Sequence, residues 1–124
     1  MPSALPDPTA PEPPAIGTSA RRPLVDLHRH LEGAVRVSTV LELARRERHP
    51  IAAADPREAL VANGKLTGLL AYLERVDAAA AVFTRDADWT RAAREVVLDG
   101  YDEGLDALEL RFSPWFIHSR TGLR

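Results

Sequence analysis

The sequence contains no cysteine among its 124 residues. A chain without thiols forms neither disulfides nor metal sites with thiolate ligands. Any metal ion bound by this chain must therefore be held by imidazole, carboxylate or other oxygen ligands.

Long apolar runs and a strong charge imbalance are also absent. No hydrophobic stretch approaches the ~18 residues that span a membrane, and the N-terminus lacks the charged-then-apolar pattern of a signal peptide. The 16 Lys and Arg residues nearly balance the 18 Asp and Glu residues, for a net charge of −2. This balance gives no signal for a nucleic-acid or membrane partner, and we expect a cytoplasmic protein.

Proline is abundant only at the start of the chain. Because proline cannot donate a backbone hydrogen bond, such a segment supports neither helix nor sheet. We therefore predict a disordered, Pro-rich tail over residues 1–22, followed by the folded region 23–124. The prolines of the tail are Pro2, Pro6, Pro8, Pro11, Pro13 and Pro14.

Two histidines one residue apart, His28 and His30, end an apolar stretch that we interpret as a first strand over Leu24–His30. Side chains at positions i and i+2 of a strand point to the same face, so both imidazoles could bind one metal ion. The spacing alone does not distinguish a metal-ligand pair from an exposed pair of histidines. Gly33 follows where the backbone must turn sharply or let another group approach closely.

The central part of the chain is predicted to be helical. Thr39 and Glu42 have capping-box spacing at the start of a helix that Pro50 ends. Irregular or short helical structure is expected over residues 51–64. An amphipathic helix is then predicted over 66–82, from its apolar residues at helical spacing.

A longer helix is predicted from Asp86 to Gly104, with Trp89, Val96, Val97 and Tyr101 on one face. A second strand follows over residues 107–112. We expect its Glu109 and Arg111 to lie on the same face as Asp26 of the first strand. Asp26 would either pair with Arg111, the role we favour, or orient a candidate metal ligand by a hydrogen bond.

After this strand, Trp115, Phe116 and Ile117 are interpreted as a loop. The two remaining histidines, His49 and His118, are interpreted as surface residues.

The segment Asp26-Leu27-His28-Arg29-His30-Leu31-Glu32-Gly33 resembles the opening motif of the adenosine deaminase family, metal-dependent purine deaminases of the amidohydrolase superfamily. A second segment, Glu109-Leu110-Arg111-Phe112-Ser113-Pro114, resembles the family's second barrel strand and its exit. The distance between the two is also similar, and the likeness extends from about Pro23 to about Arg120. The Arg between the histidines makes the first motif similar to that of bacterial adenosine deaminases in particular.

The resemblance implies an α/β fold, the N-terminal portion of a (β/α)₈ TIM-type barrel. It also implies one zinc ion with His28 and His30 as ligands, and a purine nucleoside substrate close to His30 and Glu32. Glu32 would accept a hydrogen bond from the ribose. The family's remaining metal ligands and its catalytic general acid have no matching positions in this sequence. The absence of a Cys-x-x-Cys signature excludes the unrelated zinc deaminases that act on flipped-out bases.

Length limits what this sequence does alone, because such a barrel needs ~250 residues. We therefore expect an N-terminal fragment of an adenosine deaminase-like hydrolase, containing about two strands and inactive by itself. A sister deaminase acting on adenine or on a futalosine-type nucleoside is an alternative. An alternative of another class is a non-catalytic remnant or interaction fragment.

Overall fold

The computed structural model describes residues 22–62, 64 and 68–123. The predicted tail, apart from Arg22, and Leu66 at the start of the predicted amphipathic helix lie outside the described residues. Single 3₁₀ turns occupy Leu31–Gly33 and Pro50–Ala53. The described strands and helices are β1 (Val25–His30), α1 (Val37–Arg46), α2 (Pro56–Leu60), α3 (Leu69–Ala80), α4 (Asp86–Asp102), β2 (Ala107–Arg111) and α5 (Pro114–Thr121).

Strands β1 and β2 pair in parallel as a two-stranded sheet, with α1 to α4 in the connection between them. A parallel pair needs such a long crossover, because its second strand must start at the same end of the sheet. Parallel strands joined through helices are the unit from which a (β/α)₈ barrel is built. The α/β class is thus confirmed, and the described residues contain no further strand of a barrel.

The pairing of β1 with β2 contains an irregularity that corrects one prediction. Asp26 lies opposite Leu108 and Arg29 opposite Leu110, so β1 has one extra residue between them. A bulge of this kind breaks the two-residue alternation of faces. Asp26 consequently contacts Arg29, with 2.8 Å between Oδ2 and Nε. The predicted pairing of Asp26 with Arg111 is wrong, because Arg111 binds Glu109 on its own strand.

The core lies between the helices and beneath β2. Val40, Leu43 and Ala44 of α1 are buried at the helical spacing that the sequence predicted. They belong to the same apolar cluster as Trp89 and Val96 of α4, while Leu108 and Leu110 of β2 pack against this cluster. Burying side chains of this size typically stabilises a fold by about 1.5–3 kcal/mol each.

An aromatic pair lies at the centre of this core. Phe83, in the connection between α3 and α4, is 0% exposed and is the largest fully buried side chain among the described residues. Its ring lies 4.7 Å from that of Trp89, measured between centroids, with the two planes tilted by 31°. Aromatic pairs at this separation add to the stabilisation from burial alone.

Helix α1 begins earlier than the sequence predicted, because Arg36 and not Thr39 is its N-cap. Thr39 is buried inside the helix, where its hydroxyl donates to Glu95 Oε2 of α4 at 2.7 Å. A buried hydroxyl needs such a partner. Glu42, the expected second half of a capping box, binds Arg91 of α4 instead. The residues proposed as a local cap therefore join two helices.

The limits of α4 agree with the prediction, whereas its buried face is narrower than expected. The helix starts at Asp86, and Gly104 follows its C-terminus with a φ of 81°, a left-handed conformation that favours glycine. Trp89 and Val96 are buried, but Val97 and Tyr101 are exposed. The described residues therefore cover only part of the predicted apolar face.

The segment after β2 is a helix and not the predicted loop. Ser113 is the N-cap of α5, with its hydroxyl accepting a hydrogen bond from the Phe116 N–H at 3.2 Å. Pro114 follows at the first helical position, where its missing N–H costs nothing. Trp115 is exposed on this helix, whereas Phe116 and Ile117 pack against the core. None of the helices in the described part of the chain is long and apolar enough to span a membrane.

A buried ion pair joins α1 to the start of α4. Asp88 is only 5% exposed, and both of its carboxylate oxygens accept hydrogen bonds from the Arg46 guanidinium, at 2.7 and 2.6 Å. The Arg85 backbone N–H also donates to Asp88 Oδ2 at 3.1 Å. The hydrogen bonds from Arg46 are the main reason that the pKa of Asp88 lies below its usual value.

This lowered pKa predicts acid sensitivity. The folded protein favours the ionised form of Asp88 more strongly than the unfolded chain does. Ionised Asp88 therefore stabilises the fold to its full extent at pH values above the ordinary pKa of about 3.9. This stabilisation is lost as the pH falls through the lower pKa of Asp88 in the folded state. We expect Asp88→Asn to lower the midpoint of urea unfolding at pH 7 and to flatten its decline in acid. Asp102→Asn, in the exposed last turn of α4, is the control, and equal acid dependence in both variants would contradict this role.

Candidate functional site

The two histidines of β1 converge as the sequence predicted. His28 Nε2 and His30 Nε2 lie 3.0 Å apart, and the ring centroids are 5.0 Å apart. Two nitrogens that bind one tetrahedral zinc ion at about 2.0–2.1 Å lie about 3.3 Å apart. The two imidazoles are in hydrogen-bonding contact, so a small separation of the rings would let both bind one ion. Nitrogen ligands of this kind suit zinc and neighbouring transition metals.

The backbone that presents the histidines is tied to its surroundings by Asp26 and Arg29. Asp26 Oδ1 accepts a hydrogen bond from the His28 backbone N–H at 3.1 Å. Arg29 binds Asp26 and also reaches the residue that follows α4, where its Nη2 lies 2.7 Å from Glu103 Oε2. The hydrogen bond from the His28 N–H, followed by that from Arg29, lowers the pKa of Asp26. Asp26 thus holds the strand beside a metal-ligand candidate.

Glu32 is buried rather than exposed, at 6% of its accessible surface. Its Oε1 accepts a hydrogen bond of 2.6 Å from the backbone N–H of Ser113, 81 positions along the chain. The N–H groups at the start of a helix have no partner within that helix, and a carboxylate is favoured there. Glu32 therefore connects the exit of β1 to the start of α5.

A cavity of about 360 Å³ opens beside His30 and Glu32. A smaller cavity of about 90 Å³ adjoins it, and both are lined by Glu32, Gly33, Tyr72 and Val76. Pockets that bind small molecules are typically apolar with a few convergent polar groups, and the larger cavity has this character. Its lining consists of His30, Glu32, Gly33, Tyr72, Leu73, Val76, Ser113 and Phe116.

Five of these lining residues are not among the site residues that the sequence predicts: Tyr72, Leu73, Val76, Ser113 and Phe116. Tyr72, Leu73 and Val76 lie on α3, which the sequence indicates only as an amphipathic helix. Phe116 belongs to an apolar segment that the sequence places in a loop, where it could line a substrate mouth in a closed barrel. Ser113 carried a recognisable signal, since Ser-Pro after a strand favours a helix N-cap. No local pattern indicates that α3 packs across the exit of β1.

Comparison with known proteins identifies the family. The sequence profile described as adenosine deaminase matches residues 23–124, which include both motifs and every residue of the cavity. The chain belongs to the adenosine deaminase family.

Curated relatives within this family include adenosine deaminases from three bacteria. The protein from Shewanella loihica is 44% identical over 100 residues, which cover 77% of this chain and 30% of the relative. Those from Edwardsiella ictaluri and Shewanella denitrificans are 38% and 43% identical, covering 84% and 77% of this chain and 32% and 30% of the relatives. The chain thus spans about a third of the length of these adenosine deaminases.

The adenosine deaminase family is metal-dependent, and the paired imidazoles of His28 and His30 are candidates for two of the ligands that such a site needs. A catalytic zinc site usually has three protein ligands and an open position. Within the described residues, no group of three or more His, Cys, Asp and Glu side chains is arranged to hold a metal ion. His28 and His30 therefore fit as part of a metal centre and do not complete one.

The other two histidines lie in structural positions. His49 is half-buried, and its Nδ1 accepts a hydrogen bond from the Ile51 N–H at 3.3 Å at the start of a 3₁₀ turn. His118 is exposed as predicted, but it lies on α5, with its Nδ1 2.8 Å from the Leu123 carbonyl oxygen. Neither side chain lines the cavity beside His30.

Proposed function

We propose that this chain forms the metal- and nucleoside-binding portion of an adenosine deaminase-like hydrolase, which converts adenosine and water into inosine and ammonia. The observation that carries the proposal is the convergence of His28 Nε2 and His30 Nε2 beside a cavity that also contains Glu32. Zinc bound to these imidazoles would act as a Lewis acid and lower the pKa of water towards neutrality. The bacterial relatives named adenosine deaminase support this choice of reaction.

Each residue of the site has a distinct task in this proposal. His28 and His30 hold the metal, and His30 also lies next to the substrate. Glu32 accepts a hydrogen bond from a ribose hydroxyl, while its contact with Ser113 keeps the carboxylate in place. The apolar side chains of Leu73, Val76 and Phe116 would cover the faces of a purine.

We further propose that this polypeptide corresponds to the N-terminal part of such an enzyme and does not turn over adenosine alone. Two imidazoles leave a zinc ion short of the three protein ligands that a catalytic site usually has. The general acid of the adenosine deaminase family has no matching position in this sequence. A cytoplasmic setting remains a prediction.

The role of Glu32 is tested by comparing the binding of adenosine with that of adenine. Hydrogen bonds to a charged group contribute roughly 1.5–3 kcal/mol, so we expect Glu32→Gln to weaken adenosine binding by up to about 10–150-fold. Adenine, which has no sugar, should bind as it does to the wild type. Dissociation constants come from NMR titrations of the isotopically labelled chain with each ligand and excess zinc.

Glutamine keeps an oxygen that can accept the Ser113 N–H, and the thermal midpoint of the variant checks that the fold is retained. Glu58→Gln, on the exposed surface of α2, is the matched control. Equal weakening of adenosine and adenine by Glu32→Gln would contradict the ribose contact and favour an adenine deaminase. A wild-type chain that binds neither ligand would refute the proposed nucleoside site.

A further inference from the structure

We propose that Tyr72 is a substrate-contacting residue that acts with Glu32 to select ribonucleosides over free bases. Its phenolic hydroxyl would form a hydrogen bond with a sugar hydroxyl of the ligand. This inference rests on the proposed function, because it concerns the same cavity, and it adds a specificity-determining residue from a different helix.

The position of the Tyr72 hydroxyl explains why residue 33 is glycine. A Cβ atom on Gly33 would lie 2.8 Å from Tyr72 Oη, closer than non-bonded atoms normally approach. Among the described glycines, those with a left-handed backbone are Gly64, Gly68, Gly104 and Gly122, so Gly33 has no such conformational requirement. The absence of a side chain at position 33 provides space for the Tyr72 hydroxyl at the residue that follows Glu32 in the sequence.

The Tyr72 hydroxyl is available for a ligand. No hydrogen bond joins it to another side chain or backbone group in the part of the chain that the structure describes, and Tyr72 is 41% exposed. A phenol carries one donor and can also accept. Tyrosine hydroxyls usually find a partner when they are buried, so occupation of the cavity by a ligand would favour a hydrogen bond from this group.

The arrangement of the two cavities indicates which part of the ligand Tyr72 contacts. His30 lines only the larger cavity, whereas Glu32, Gly33 and Tyr72 line both. Glu32 and Tyr72 therefore both border the region where the two cavities adjoin. Ionised Glu32 only accepts hydrogen bonds, while Tyr72 both donates and accepts. A ribose supplies several hydroxyls that each donate and accept, and this chemistry matches the pair.

The test replaces the hydroxyl alone and measures binding of adenosine and adenine in the presence of excess zinc. One neutral hydrogen bond corresponds to roughly a 2–12-fold change in affinity. We expect Tyr72→Phe to weaken adenosine binding by this factor and to leave adenine binding unchanged. Tyr101→Phe is the matched control, because Tyr101 is 79% exposed on α4 and lines neither cavity.

Gly33→Ala provides a second variant that acts on the same hydroxyl without removing it. The added methyl group must displace Tyr72 Oη, so we expect a comparable loss of adenosine affinity. If both changes act through this hydroxyl, the double variant should lose little more affinity for adenosine than either single variant does. Strictly additive losses would overturn the common mechanism.

The possible results separate this inference from the proposed function. Suppose that the wild type prefers adenosine to adenine, that Glu32→Gln reduces this preference and that Tyr72→Phe leaves it intact. This result overturns the inference about Tyr72 and leaves the proposed function standing. Equal wild-type affinity for adenosine and adenine overturns both proposals. A loss of adenosine affinity in Tyr72→Phe, with adenine and the Tyr101→Phe control unchanged, supports the assignment.

Discussion

Replacement of His30 by alanine is expected to weaken zinc binding to this chain by at least about 100-fold. Removal of a residue that only forms a hydrogen bond with a metal ligand already lowers metal affinity by about 10–100-fold, and loss of the ligand itself should have a larger effect. His28 Nε2 and His30 Nε2 lie 3.0 Å apart, so the two rings can bind one ion together. A variant with one imidazole loses this joint binding. His28→Ala should have an effect of the same size.

Zinc affinity is measured by competition with a chromophoric chelator at fixed pH, and cobalt substitution gives a second, spectroscopic signal. His118→Ala is the control, because His118 is exposed on α5 and lies outside the cavity lining. Retention of wild-type zinc affinity by both His28→Ala and His30→Ala would show that the motif is not the metal site. An equal loss in His118→Ala would indicate nonspecific binding of zinc to surface histidines.

Replacement of Phe83 by alanine is expected to lower the free energy of unfolding by about 3–5 kcal/mol, the usual loss when a buried aromatic side chain is removed. Phe83 is fully buried against Trp89, so the substitution leaves a void that neighbouring groups fill only in part. Domains of ordinary stability have about 5–15 kcal/mol in total. The variant should therefore lose a large part of the free energy that stabilises the fold.

Urea unfolding followed by far-ultraviolet circular dichroism measures this loss. Leu70→Ala is the matched control, because Leu70 is a large apolar residue that is exposed on α3. Surface substitutions of this kind usually change stability by less than about 0.5 kcal/mol. Similar losses in the two variants would show that the cluster around Phe83 is not the stabilising core.

The two strands and the approximate positions of α1, α3 and α4 were predictable because their signals are local. Apolar residues at helical spacing marked α1, and Gly104 marked the end of α4. The His-x-His spacing predicted the convergence of His28 and His30, which is retained although β1 contains a bulge between Asp26 and Arg29. The alternation of faces that placed Asp26 opposite Arg111 failed at that bulge.

The rest of the candidate site depends on contacts between residues that are distant in sequence. The bond between Glu32 and Ser113 joins positions 81 apart, and no periodicity in either segment reports it. The same holds for the approach of Tyr72 to Gly33 across the exit of β1. Packing of the helices determines both contacts, and packing is not encoded in the pattern of a single segment.

The two tryptophans of the chain lie in opposite environments. Trp89 is buried against Phe83, whereas Trp115 is exposed on α5 beside the cavity-lining Phe116. The fluorescence of the chain is therefore the sum of two emissions, that of buried Trp89 at shorter wavelength and that of exposed Trp115 at longer wavelength. In a Trp115→Phe chain the remaining emission comes from Trp89 and follows the core, and in a Trp89→Phe chain it comes from Trp115 and follows the exposed surface of α5. The native sequence thus contains separate optical reporters of the core and of this helix.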